Sequence, residues 1–347
     1  MQESKMERVR FGKTELMVSK LAFGALPIQR LSESDAVSLI RGAVDLGINF
    51  FDTANGYSDS EEKLGKAIKG MPRENIIIAS KSIAKDKKTF LEHIDLSLAR
   101  MGIDYIDIYQ HHHLSSKQSY EQVFGEDGAF SGLLEAIKMG KVRFPGFSSH
   151  NIPLASKIMR EGKFDMVQLP FNYIDDASAK TTLPLAKELD MGFIAMKPFG
   201  GGLLTDANLS IKYLYQFDGI VPDPGFENLS QVEEIIKIME SGEKFSEADA
   251  KAVEKLKSEM GDTWCHRCDY CQPCPKKIVI SAILTVESIT KRMTFERANA
   301  FLGSSMENAR DCNECRLCVI KCPYDLDIPK LIKEKLVVWD KYVSENK

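Results

Sequence analysis

Two sets of residues in this sequence have types and spacings that suit chemistry. All eight cysteines fall between Cys265 and Cys322, in the runs Cys265-x2-Cys268-x2-Cys271-x2-Cys274-Pro275 and Cys312-x2-Cys315-x2-Cys318-x3-Cys322-Pro323. Successive x2 steps let three thiolates wrap one cuboidal [4Fe–4S] cluster, and a proline after the last cysteine turns the chain away without needing a backbone N–H. Zinc is the competing metal, but its sites pair two Cx2C knuckles rather than consecutive x2 steps closed by Cys-Pro. Eight thiolates suffice for two clusters, so His266, between ligands, is not needed as one. The second set is Asp52, Tyr57, Lys81 and His112. A phenol with a pKa near ~10 is a poor proton donor at neutral pH. A neighbouring ammonium stabilises the phenolate, a carboxylate keeps that ammonium charged and oriented, and an imidazole can hydrogen-bond a substrate carbonyl.

Those four residues are far apart in sequence, so a fold must gather them. Short apolar runs at 21–23, 48–52, 76–80, 106–110, 142–147, 166–169, 193–196 and 219–221 read as strands. Amphipathic stretches follow them at 33–46, 60–69, 87–101, 132–139, 154–161, 178–189, 207–216 and 231–239. Eight strand–helix units are the arithmetic of an α/β fold of the (β/α)8 TIM-barrel type. An open doubly wound sheet is the alternative, but Gly24-Ala25-Leu26 after the first strand is not the GxGxxG fingerprint of that fold. Segments 9–11 and 16–18 flank a Gly12–Lys13 turn and read as a hairpin closing the barrel floor. Barrel chemistry sits at the C-terminal ends of the strands. There Asp52, Lys81 and His112 converge, with Tyr57 one short loop away. Strand alternation separates His112 from His111 and His113, which argues against a metal site built from the three consecutive histidines.

The first 264 residues contain no cysteine, and this divides the chain. Residues 1–243 are expected to form the barrel, and 244–347 a linker helix at 248–260 followed by a small, mainly α-helical two-cluster domain. Segment 278–308 reads as helical, and 329–342 as a terminal helix using Leu331, Ile332, Leu336 and Trp339 as core contacts. The 347 residues are 44% hydrophobic and 28% charged with a net charge of −4, so disorder is excluded and no basic field recruits nucleic acid or anionic membrane. The longest apolar stretch, 278–286, is too short to span a bilayer, and 1–10 lacks the apolar core of a secretory signal. A cytoplasmic location is expected. No helix-turn-helix, Walker A, GxSxG or zinc-protease motif occurs.

The barrel resembles the aldo/keto reductase family on Asp52-Thr53-Ala54-x2-Tyr57, Ser60-Glu61, Lys81 and Tyr109-Gln110-x-His112, over roughly residues 8–240. The resemblance implies NADP or NAD bound extended across the barrel mouth. It also implies hydride transfer between NAD(P)H and a small carbonyl or alcohol substrate. Tyr57 would be the general acid or base, Lys81 would tune it, Asp52 would pair with Lys81, and His112 would orient the carbonyl. Ser148 and Ser149 stand where the family has Ser-Asn, and Gln168 matches its other carboxamide contact. Met196 replaces the usual nicotinamide-stacking tyrosine. Lys197 and the glycines Gly200, Gly201 and Gly202 follow, where close backbone approach would admit a pyrophosphate. After the eighth strand come Gly225, Gln231 and Glu234. Gln231 holds the place of the arginine that often grips the NADP 2′-phosphate, and its neighbours Glu233 and Glu234 are acidic.

The tail resembles the subgroup of this family with a C-terminal ferredoxin-type [4Fe–4S] dicluster domain, because its second run has the bacterial ferredoxin spacing. In two-cluster ferredoxins the fourth cysteine of each run ligates the other cluster. That pattern assigns Cys265, Cys268, Cys271 and Cys322 to one cluster and Cys312, Cys315, Cys318 and Cys274 to the second. Three functions follow. One is a nicotinamide-dependent oxidoreductase with structural or regulatory clusters. Another is an electron-transfer enzyme whose clusters relay single electrons from a ferredoxin or another redox protein, for which a flavin would be the usual converter. The third is a non-enzymatic redox sensor, which the intact barrel tetrad disfavours.

Overall fold

The structure, a computed structural model, describes residues 6–346. Residues 1–5, part of the segment read as lacking a secretory signal, lie outside it. Two compact units emerge: 1–199 with 206–244, and Gly200–Thr205 with Phe245–Lys347.

In the first unit, β1 (Arg8–Arg10) and β2 (Met17–Ser19) form an antiparallel hairpin. Eight parallel strands follow: β3 (Phe23–Gly24), β4 (Phe50–Asp52), β5 (Ile77–Ser82), β6 (Ile106–His111), β7 (Val142–Ser148), β8 (Met166–Pro170), β9 (Gly192–Met196) and β10 (Val221–Asp223). They pair in sequence order. Ala22 N donates to Pro222 O and Gly24 N to Pro224 O, which joins β3 to β10 and closes the ring. Gly24 is required at this seam, since a Cβ there would lie 2.8 Å from Pro224 O and from Asp223 Oδ1.

Helices alternate with the strands, and their entries are set by capping side chains. Ser32, Asp86, Asn151, Asp206 and Asn228 each accept the backbone N–H three residues on, which satisfies an otherwise orphaned donor. The stretch 178–189 is two short helices, Ala177–Lys180 and Thr182–Glu188, rather than one. Pro184 lacks the N–H that would bond to Lys180 O, and its ring crowds that carbonyl, so the helix breaks at Thr181. A helix at Lys117–Val123, not anticipated from the sequence, is capped by Ser116 and Ser119.

The barrel interior is layered. Phe50, Ala79, Ile108, Met166, Ile194 and Val221 fill an apolar layer above Phe11, which the hairpin turn carries into the floor against Phe50. Two residues further along each strand the same face of the sheet carries Asp52, Lys81, Gln110, Gln168, Met196 and Asp223. All but the half-buried Met196 are buried.

The second unit is helical. Glu247–Met260, Ile280–Ile283, Val286–Arg292, Phe295–Arg310 and Ile328–Asn346 are its main elements. Leu331, Ile332 and Trp339 from the last helix are buried with Ile283, Leu302 and Met306, and the partly buried Leu336 packs on them. Gly200–Thr205 belongs to this unit, where a Cβ at Gly201 would collide with Ser288 Oγ.

Candidate functional sites

The polar layer of the barrel gathers charge where the apolar core ends. Lys81 at the end of β5 is 2% exposed and pairs with Asp52 Oδ2 of β4, itself 3% exposed. Lys81 Nζ also donates to Thr53 O at 2.7 Å. Gln110 Nε2 donates to Asp52 Oδ1 at 3.2 Å, and Gln168 Nε2 to Asp52 Oδ2 at 3.2 Å. Burial pulls the Lys81 pKa down, but the Asp52 carboxylate, through its charge and its hydrogen bond, and the neighbouring Tyr57 outweigh it and raise the value, so this lysine is an ammonium.

Tyr57 lies in the loop after β4, half-buried, with its ring centroid 5.0 Å from Lys81 Nζ. His112 follows β6, and its ring meets that of Tyr57 edge-on at 5.8 Å. Burial pushes the His112 pKa well down, and Lys81, His113, Lys85 and Lys197 push the same way, so this imidazole is neutral. The structure therefore brings Asp52, Tyr57, Lys81 and His112 into one cluster. His111 points to the other side of the sheet, between Phe90 at 4.5 Å, Phe164 at 5.9 Å and Phe130 at 6.2 Å. His113 bonds to Ser115 Oγ through Nδ1.

The residues expected to hold a nicotinamide cofactor lie in several places. Gln168 is in the polar layer. Its amide nitrogen is spent on carboxylates, while its Oε1 is buried with no hydrogen-bond partner among the described residues, an acceptor that suits the amino group of a carboxamide. Ser148 ends β7 and Ser149 follows it, and both hydroxyls are taken up by backbone donors. The first accepts from His113 N at 3.0 Å and the second from Asn151 N at 3.1 Å. Met196 is the register partner of Asp223 across β9 and β10. Lys197, at a positive φ of 58°, bonds to His150 Nε2. Gln231 accepts from Glu227 N at 2.9 Å, and Glu234, on the same helix, is exposed, as is Gly225. Gly200, Gly201 and Gly202 fall in the second unit, all at positive φ.

Asp223 was not anticipated. It is 9% exposed and accepts from Gln168 Nε2 at 3.0 Å. Pro222 and Pro224 disguise it, since a proline pair reads as loop, yet the inward alternation from Val221 marks it as the eighth strand's contribution to the layer.

In the second unit the cysteines surround two cavities. Cys265, Cys268, Cys271 and Cys322 line one. Cys274, Cys312, Cys315 and Cys318 line the other, and Cys271 reaches it too. Burial pushes the Cys265 thiol up to about 12. Burial also raises Cys268, with Cys322 adding to it, and Cys318, with Cys312 and Cys274 adding to it. Desolvated sulfurs set close to one another are what a cationic iron cluster balances. No three His, Cys, Asp or Glu side chains among the described residues are placed to hold one metal ion. A cavity ringed by four thiols suits a cube of several irons better than a single tetrahedral ion.

Comparison with known proteins matches residues 20–214 to the model of the "Aldo/keto reductase family" and residues 264–327 to that of the "4Fe-4S dicluster domain". L-galactose dehydrogenase of Arabidopsis thaliana is 32% identical over 222 residues, which covers 58% of this chain and 68% of that protein. The NADH-specific methylglyoxal reductase of Escherichia coli (strain K12) is 28% identical over 230 residues, 58% of this chain and 69% of that protein. An aldo-keto reductase of Bacillus halodurans, in its holo form, superposes with a TM-score of 0.62 at 22% identity over 72% of this chain and 96% of its own. That structural likeness speaks to the fold alone. No helix among the described residues is long and apolar enough to cross a membrane.

Proposed function

Because this chain belongs to the aldo/keto reductase family and carries a 4Fe-4S dicluster domain, we propose that its barrel reduces a small carbonyl compound at the expense of NAD(P)H, or runs the reverse reaction on an alcohol. The observation that carries the reading is the Lys81 ammonium, held by Asp52 and set 5.0 Å from the Tyr57 ring centroid, with a neutral His112 edge-on to the same ring. A bound nicotinamide supplies the hydride, and Gln168 Oε1 is the acceptor that would hold its carboxamide.

The protein's own groups handle the proton. Tyr57 gives its phenolic proton to the carbonyl oxygen as negative charge develops there. The Lys81 ammonium stabilises the phenolate left behind, and Asp52 keeps Lys81 charged and in place. Neutral His112 donates an N–H to the carbonyl oxygen and orients it, a role a charged imidazolium would complicate by competing as the acid. On the cofactor, the acidic Glu233 and Glu234 near Gln231 offer no grip for a 2′-phosphate, and the name of the Escherichia coli relative specifies NADH. NADH is therefore the favoured donor. The second unit would hold two [4Fe–4S] clusters in the two cysteine sets.

A second reading draws on Cys271 lining both cavities, which puts the clusters side by side. There they would pass single electrons to or from a ferredoxin-like protein. The test of the first reading is carbonyl-dependent NADH or NADPH oxidation by the iron-loaded protein. Tyr57→Phe should lower its kcat on the order of 10²–10⁴-fold while leaving nicotinamide binding in place. Equal rates in the two proteins would refute it.

A further inference from the structure

Asp223 is a member of the barrel's polar layer for which the reaction above has no use. It ends β10 at the seam, where Gly24 leaves room for its side chain. The charged groups that face it are Asp52 from β4 and Lys81 from β5. Gln168 from β8 and Met196 from β9 bring no charge, and β3 brings only a glycine.

Two carboxylates thus share one buried ammonium. Asp52 holds Lys81 and accepts from both Gln110 and Gln168. Asp223 has one donor, Gln168 Nε2 at 3.0 Å, and its Oδ1 is buried with no partner among the described residues. A second buried carboxylate with so little compensation does not stay ionised, and the better-served Asp52 keeps the charge. Burial and the Asp52 charge push the Asp223 pKa well up, against the pull of Lys81.

We propose that Asp223 is a positioning residue held as a neutral carboxylic acid at neutral pH, which fixes Gln168 against Asp52 and whose ionisation weakens Tyr57 as a proton donor. The first half stands on the charge count alone, and the second rests on the role proposed above for Tyr57. Once ionised, Asp223 offsets the field that Lys81 exerts at the phenol, so the phenolate is less stabilised and proton transfer slows. Carbonyl reduction then steps down on the alkaline side of neutrality before Tyr57 itself titrates.

The test is carboxyl ¹³C NMR of aspartate-labelled, full-length, iron-loaded protein, with the Asp223 signal assigned by its loss in Asp223→Asn. The signal should sit at its protonated position near pH ~7, where ordinary aspartates are ionised. The wild-type kcat profile should show a step that tracks this signal and that Asp223→Asn abolishes. Asp223→Ala should raise the KM for nicotinamide on the order of ten-fold by freeing Gln168, and Asn should restore it. An ionised Asp223 signal at neutral pH would overturn the proposal even if the alanine variant fails to fold, and so would a step that survives in the asparagine variant. A protonated Asp223 in a protein that reduces no carbonyl would refute the Tyr57 role and leave the charge assignment intact.

Discussion

The barrel mouth and the cysteine unit solve the same problem, the burial of reactive groups, in opposite ways. In the barrel the charges answer one another. Lys81 meets Asp52, Asp52 meets Gln110 and Gln168, and every one of these side chains stands on a strand fixed by its neighbours. In the second unit burial and neighbouring thiols make ionisation of Cys268, Cys271 and Cys318 harder, and backbone N–H groups only partly offset them. The barrel site is organised by the polypeptide. The cysteine sites lie in the 4Fe-4S dicluster domain, and much of the local backbone around them is non-helical, with Arg267, Asp269, Lys277, Glu314, Arg316 and Asp325 at positive φ.

Iron removal should break the symmetry most completely. Anaerobic chelation or expression without iron should cost the second unit its tertiary structure, because ligand binding and folding are one free energy there. The barrel should keep its native circular dichroism and cooperative unfolding. Loss of both units together, followed through proteolysis and mass spectrometry, would show that the two are not independent in this respect.

Lys81→Met comes next. It removes the ammonium but leaves the Asp52 carboxylate buried, which should destabilise the barrel by about 3–5 kcal/mol in urea titrations as well as suppress turnover. Iron content should not change. A double substitution that also replaces Asp52 with Asn should recover most of the stability and none of the activity.

The effect that is smallest at neutral pH, and shows only on the acid side, concerns His111, boxed in by phenylalanines with its pKa pushed down to about 3 by burial and Lys85. The unfolded chain binds a proton below ~6.5 and the folded one does not, so this residue withdraws stability as pH falls from that value toward about 3. His111→Phe should flatten the acid-side decline of the urea midpoint, by at most about 1.4 kcal/mol for each pH unit. A variant with an unchanged slope would place the acid sensitivity elsewhere.

Much of this was legible in the sequence because barrel geometry is periodic. Once Phe50, Ala79 and Ile108 are taken as inward core, Asp52, Lys81 and Gln110 follow two residues later on the same face. The same alternation sends His111 outward and leaves His112 inward. Asp223 escaped because flanking prolines mask the end of a strand at the closing seam. The membership of Gly200–Thr205 in the second unit was not legible, since three glycines in a row fit a phosphate loop and a close-packed turn equally well. The cysteine runs announced their metal through spacing alone. Their grouping around two cavities is long-range, and the expectation for it came from the two-cluster ferredoxin resemblance, in which the fourth cysteine of each run crosses to the other cluster, rather than from local pattern.

The most direct measurement is the fate of deuterium from the reactive face of C4-deuterated NADH during turnover of a carbonyl substrate by iron-loaded protein. Hydride transfer in the barrel with Tyr57 as acid puts that deuterium on the carbinol carbon and a solvent proton on oxygen. Solvent hydrogen on the carbinol carbon, with the label lost, would mean that electrons arrive singly through the clusters and would contradict the account.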